Sequence, residues 1–243
     1  MGLLIGLAVL GIVIFLHELG HFLAAKALGV PAPLFSIGFG PKLFGFTWKD
    51  TEYRLSAIPL GGYVLFGRGE NFEVTGAVER IIIFAAGPLA NFLTALAIYQ
   101  SVPEFGEKFV AVLSVVGQLF TGQIGVNQLS GPLGIMNVAG KVAETGLGPL
   151  MQFIAFLSIN LGVLNLLPLP ILDGGQILIA MAEGITRRQI NMKVRIAAAL
   201  LCWGLFILLV IQVTIGDISH LTKGAKVSKA SIERIDPRSP SVH

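Results

Sequence analysis

The stretch LLIGLAVLGIVIFLHELGHFLAAKAL, residues 3–28, decides how the rest of the chain is read. A bilayer core takes about 20 apolar residues as helix, and this run is long enough. Yet it carries His17, Glu18, His21 and Lys26. Ionisable groups inside a membrane span are costly and mark function. His17-Glu18-Leu19-Gly20-His21 is an HExxH pattern, and residues four apart share one face of a helix. Two imidazoles so placed can bind one zinc ion, with the Glu between them in reach of the water such a metal activates. The plainer reading, a pair of core histidines with a partnered Glu, leaves three expensive groups without a use. The run lacks a basic leading region and contains an acid, so it does not read as a cleavable signal peptide.

Working outward, three more stretches are long and apolar enough to span: 81–102, 150–172 and 196–215. Composition agrees. Of 243 residues 13% are charged and 54% hydrophobic, and mean hydropathy is +0.80. A soluble domain carries roughly 25% charge, so a disordered chain is excluded and an ordinary soluble enzyme is strongly disfavoured. The net charge of +3 and pI near 9.1 fit a membrane protein with basic cytoplasmic loops better than a nucleic-acid binder. Cys202 is the lone cysteine, which rules out an intrachain disulfide.

The expected fold is an α-helical polytopic membrane protein with four transmembrane helices. Ten Lys and Arg fall in 26–80 and 187–195, against seven elsewhere. Short basic loops face the cytoplasm, which places both termini outside, although the basic tail dissents. Between the first two spans, Ser36–Pro41 and Thr51–Val64 read as short strands with Gly and Pro turns. This segment is apolar enough to re-enter the membrane. Residues 109–120 have helical apolar spacing but are too short to span, and read as an external interfacial helix. The tail from 216 to 243 is polar and reads as loosely ordered. No internal repeat of the transporter kind is visible.

A zinc hydrolase needs three protein ligands and an open position. His220 and His243 lie in the tail, and Cys202 is isolated. Asp173 stands at the end of the third span, in NLLPLPILDGG (165–175). It could equally be a turn former before two glycines. Topology favours the functional reading. The first and third spans run the same way, and His17 lies about 21 Å into its helix. Asp173 falls at the same, exiting end, where prolines break the span. Zinc would then polarise a peptide carbonyl, and Glu18 would take a proton from water and pass it to the leaving nitrogen. Asn160 and Asn165 sit about 140° apart on a helix, and either join helices or hold substrate backbone or water. Asn91, in GPLAN (87–91), reads as a packing residue.

Together these residues resemble the site-2 protease family of zinc intramembrane metalloproteases, nearest the bacterial regulator-of-sigma-E protease branch. The resemblance covers most of 1–215: HELGH at 17–21, SIGFG at 36–40, IPLGGYV at 58–64, GPLAN at 87–91, LSGPLGI at 129–135 and NLLPLPILDGG at 165–175. It implies His17, His21 and Asp173 as zinc ligands and Glu18 as catalytic base. It implies Asn160 and Asn165 as substrate- or water-binding groups. Glu52–Val64 would be the membrane-reentrant β-hairpin, whose edge (Ile58, Pro59, Leu60, Gly61, Gly62) holds the substrate extended. That branch carries PDZ domains between the second and third spans, and 103–147 has no room for one. The chain is either a minimal member or one from which the domain has been removed. Residues 232–240 faintly resemble the start of a PDZ domain, which implies a native chain that continues.

The function expected is cleavage within or near the transmembrane segment of single-span proteins. By the resemblance these are of anti-sigma-factor or remnant-signal-peptide type, in a bacterial inner membrane, with the active site toward the cytoplasm. Two alternatives stand beside it: a zinc transporter or channel, and an inactive relative that binds client helices. The lipid bilayer is a partner in each case, and nucleic acid in none.

Overall fold

The computed structural model describes residues 2–67, 76–125 and 130–235, and within these the side chains at 59–60 and 218–235 are outside the description. Seven helices and a two-stranded sheet follow one another: α1 (Gly2–Ala27), β1 (Leu34–Trp48), β2 (Thr51–Leu65), α2 (Ala77–Tyr99), α3 (Val102–Phe120), α4 (Pro132–Thr145), α5 (Leu147–Asn165), α6 (Asp173–Thr186) and α7 (Met192–Ile235). Four helices are long and apolar enough to cross a membrane: α1, α2, α5, and the Met192–Asp217 part of α7. They match the four expected spans.

The third span is shorter than the sequence reading of 150–172. It stops at Asn165, because Pro168 and Pro170 cannot continue a helix. Asp173 therefore does not close that span. It opens a separate short helix, α6. Gly174 and Gly175 explain the sharp restart. A Cβ at Gly174 would run into the Leu166 carbonyl, and one at Gly175 into the Leu169 carbonyl. The turn is pinned by Gln176, whose Nε2 donates to the Pro170 carbonyl at 2.5 Å.

Helix α3 begins earlier than the expected residue 109. Its Ser101 cap accepts from the Glu104 amide, and a proline stands in the first turn, a start signal that works ahead of the apolar periodicity. Its Phe105, Phe109, Val112 and Val116 pack into a cluster with Ala95 and Ile159. The apolar stripe thus covers α2 and α5. Helix α7 carries on through the polar tail to Ile235, where the sequence offered no element; residues 236–243 lie outside the described set.

Strands β1 and β2 pair antiparallel from the Trp48↔Thr51 turn outward. Both then bend. Gly38 and Gly40 in β1 have φ of +88° and +83°, conformations that glycine adopts without cost. As a result Leu34–Ile37 has two neighbours, Glu52–Leu55 and Gly62–Leu65. Phe22 of α1 and Phe35 of β1 meet edge to face at 5.3 Å and fix the sheet to the helix. This carries the end of β2 to the middle of α1.

Candidate metal centre

Helix α1 presents His17 and His21 on one face, both buried at 5% exposure. Asp173, the first residue of α6, comes to meet them. Its Oδ2 lies 3.1 Å from His17 Nε2 and 3.4 Å from His21 Nε2. The two Nε2 atoms are 3.1 Å apart. Zinc with arms of about 2.1 Å sets the edges of its ligand tetrahedron at about 3.4 Å. The three atoms are therefore spaced as one metal would space them.

The polar bookkeeping of the site points the same way. His21 Nδ1 is 2.7 Å from the Ile83 carbonyl. A carbonyl only accepts, so Nδ1 carries the proton and Nε2 presents a lone pair. Asp173 Oδ2 is buried and has no hydrogen-bond partner, although two ring nitrogens are close. Lone pairs gathered this tightly repel unless a cation sits among them. The donor set of two imidazoles and one carboxylate suits zinc. The residues fit the metal.

Helix α2 forms the back wall. Gly20 of α1 lets it approach, since a Cβ there would strike the Ala86 carbonyl. Gly87 leaves room for the rings: a Cβ would meet His21 Nε2 and Cε1 and, at 2.9 Å, His17 Cε1. Pro88 stands inside α2. Lacking an N–H, it cannot donate to the turn before it, which loosens that turn, beside the Ile83 carbonyl that receives His21. Asn91 is fully buried, with Nδ2 placed 3.1 Å from His17 Nδ1. Beyond the packing that the sequence suggests, Asn91 places a carboxamide beside a ring of the cluster. Its signal was a carboxamide in the middle of an apolar span, one turn beyond Gly87.

Glu18 is half-buried between the two histidines. On its other side is Gly62 of β2, where a Cβ would sit 2.9 Å from Glu18 Cγ. The expected substrate strand therefore passes next to the expected base. Gly61 lies against the Phe39 ring, Ile58 is about half exposed, and the side chains of Pro59 and Leu60 are outside the described set. Asn160 and Asn165 are not drawn to the cluster. Their amides turn back on α5, to the Phe156 carbonyl at 2.8 Å and the Leu161 carbonyl at 3.0 Å. Cys202 is on α7 and takes no part in the cluster.

The model of a known family, described as Peptidase family M50, matches residues 5–211. Among similar proteins, one from Agrobacterium fabrum, named as a zinc metalloprotease, is 24% identical over 355 residues, covering 88% of this chain and 94% of its own. One of the same designation from Clostridium acetobutylicum is 24% identical over 330 residues, with 90% and 97% covered. The regulator of sigma-W protease RasP of Bacillus subtilis is 43% identical over 111 residues, 46% of this chain and 26% of RasP. The two longer aligned stretches exceed the 243 residues of this chain, so those relatives carry residues without a counterpart here.

Proposed function

The chain belongs to peptidase family M50, and from that membership we propose that it is an intramembrane zinc endopeptidase acting on single-span membrane proteins. The observation that carries the proposal is the convergence of His17, His21 and Asp173 inside a bundle of membrane-spanning helices, with Glu18 and the Gly62 strand beside them. Zinc held by the three ligands would supply a Lewis acid for the scissile carbonyl and acidify a water.

The protein's own residues do the rest. Glu18 takes a proton from the attacking water and returns it to the leaving nitrogen. Among the described residues, Gly62–Leu65 pairs with Leu34–Ile37 on one edge only. Its other edge can hold a substrate segment as an added strand. A peptide bond inside a helix is shielded by its own turns, and drawing it out along Ile58–Gly62 brings it beside Glu18. Asn160 and Asn165 would exchange their helix carbonyls for substrate backbone. The basic loops favour a site toward the cytoplasmic side, and the bacterial origin of the relatives supports a bacterial inner membrane.

The test is co-expression with tagged single-span proteins, of anti-sigma-factor and remnant-signal-peptide type. Glu18→Gln is expected to keep zinc and lose cleavage by at least about 100-fold, with uncut substrate trapped on the variant. Normal cleavage by Glu18→Gln would remove the base assignment. Zinc flux into proteoliposomes dependent on His17 and His21 would replace the protease with a transporter.

A further inference from the structure

Ile83, Gly87 and Asn91 follow one another at four-residue spacing and so share one face of α2. Opposite them on α1 stand His21 and His17, also four apart. The two series run in opposite directions: Ile83 meets His21, Asn91 meets His17, and Gly87 lies between the rings. The backbone carbonyl of Ile83 fixes the His21 tautomer. The matching task at His17 falls to a side chain.

We infer that Asn91 is the positioning residue for His17: its Oδ1 accepts the His17 Nδ1 proton, which turns the ring's Nε2 lone pair to the metal. The inference rests on the metal-site reading given above. Three observations carry it. Asn91 Oδ1 is buried and has no partner. The other end of the same carboxamide faces His17 Nδ1 at 3.1 Å. And His17 Nε2 stands 3.1 Å from both Asp173 Oδ2 and His21 Nε2.

If Asn91 Nδ2 donated to His17 Nδ1, the ring proton would sit on Nε2, aimed into the ligand cluster, and His17 could not ligate. A half-turn of the carboxamide exchanges its two ends without moving the backbone. Oδ1 then accepts from Nδ1–H, and both histidines present Nε2 lone pairs to the position Asp173 faces. Metal-bound histidines require such an acceptor on the far nitrogen, and its loss weakens metal binding. Here α2 supplies both acceptors, one from backbone and one from side chain. The spacing of Gly87 and Asn91 is thereby explained: one residue admits the rings and the other, a turn later, holds one of them.

The experiment compares wild type, Asn91→Leu, Asn91→Ser and Asn91→Asp as purified full chains in nanodiscs. Leu keeps the volume without an acceptor, Ser falls short of the ring, and Asp restores an acceptor. Zinc affinity by chelator competition is expected to fall about 10- to 100-fold in Asn91→Leu and Asn91→Ser, and to recover most of that loss in Asn91→Asp. Spectra of 15N-histidine in the zinc-loaded chains give a second readout that packing alone would not move. The His17 Nδ1 proton is expected downfield in wild type and Asn91→Asp relative to Asn91→Ser, so the result stands even where Asn91→Leu fails to fold. Wild-type affinity in Asn91→Leu or Asn91→Ser, or an unchanged His17 proton across the series, would overturn the role of Asn91. A wild type that binds no stoichiometric zinc would overturn the metal reading, and this inference with it.

Discussion

Helices α2 and α7 are both apolar enough to span a membrane, and they do opposite work. Of the most apolar 18 residues of α2, 28% are buried inside the protein, against 6% in α7. Helix α2 gives the site the Ile83 carbonyl, the space at Gly87 and the Asn91 carboxamide. Helix α7 shows Leu200, Leu201, Leu205, Leu208 and Ile215 outward and is tied to the bundle where its apolar part ends, by Asp217. Hydropathy alone cannot separate a helix that builds a site from one that faces lipid. What separates them is where polar atoms and bare backbone are placed along each.

The sharpest way to break this contrast is a matched pair of glycines. Gly87 has imidazole atoms where its Cβ would go, while Gly204 of α7 has nothing within 4 Å. Gly87→Ala must push His17 and His21 off their common point, since a packed core yields poorly to one added methyl. Zinc affinity and cleavage are expected to fall by at least about 100-fold. Gly204→Ala is expected to bind zinc and cleave as wild type. Equal damage from both, measured by zinc titration, would mean that α7 is as tightly built as α2.

A smaller effect is expected where α2 meets α6. Arg80 Nη2 donates to Glu183 Oε2 at 2.6 Å, with both side chains under 10% exposed. Glu183 Oε1 also accepts from the Ile190 amide at 2.8 Å. The pair ties the far end of the helix that Asp173 begins to the first turn of α2. Burial pushes the Glu183 carboxyl up, but the Ile190 amide and Arg80 outweigh it and hold the group below the ordinary carboxylate range. A depressed carboxylate stabilises above its unfolded pKa and ceases to as pH falls through the folded one, so the loss belongs to the acid side of about 4.5. Arg80→Met strands a buried charge and is expected to cost roughly 3–5 kcal/mol in detergent unfolding. The double variant Arg80→Met, Glu183→Leu is expected to recover most of it. Full stability in the single variant would show that α6 is held by other means.

These cases also show what could be read in advance. HELGH was legible because its spacing, its chemistry and its apolar setting agree within five residues. The strands were legible as elements, but not the bends that give Leu34–Ile37 two neighbours. Asp173 was legible as a member of the His17–His21 cluster through topology and resemblance. Its place at the head of α6 depends on where Gly174 and Gly175 must pass the Leu166 and Leu169 carbonyls, which no local pattern states. Asn91 escaped because a carboxamide in an apolar helix serves helix packing just as well. Its partner is 74 residues away, so only the pairing of α1 with α2 decides the matter.

The least effect is expected at the attachment of α7. Asp217 accepts from the Gly134 amide at 2.8 Å and the Gly131 amide at 3.2 Å. It thus caps the start of α4 from a distant helix, a carboxylate at a helix N-terminus. Both glycines are needed there, because a Cβ at either would press on the carboxylate. Asp217→Asn keeps one acceptor and loses the charge, at a cost of about 1 kcal/mol. That is roughly a fivefold rise in the undocked population. Hydrogen exchange at the Gly131 and Gly134 amides should quicken by about that factor, while amides of α2 around Asn91 stay as slow as in wild type. Faster exchange in α2 as well would mean that the two helices share one cooperative unit. Unchanged exchange at Gly131 and Gly134 would mean that Asp217 does not hold α7 at all.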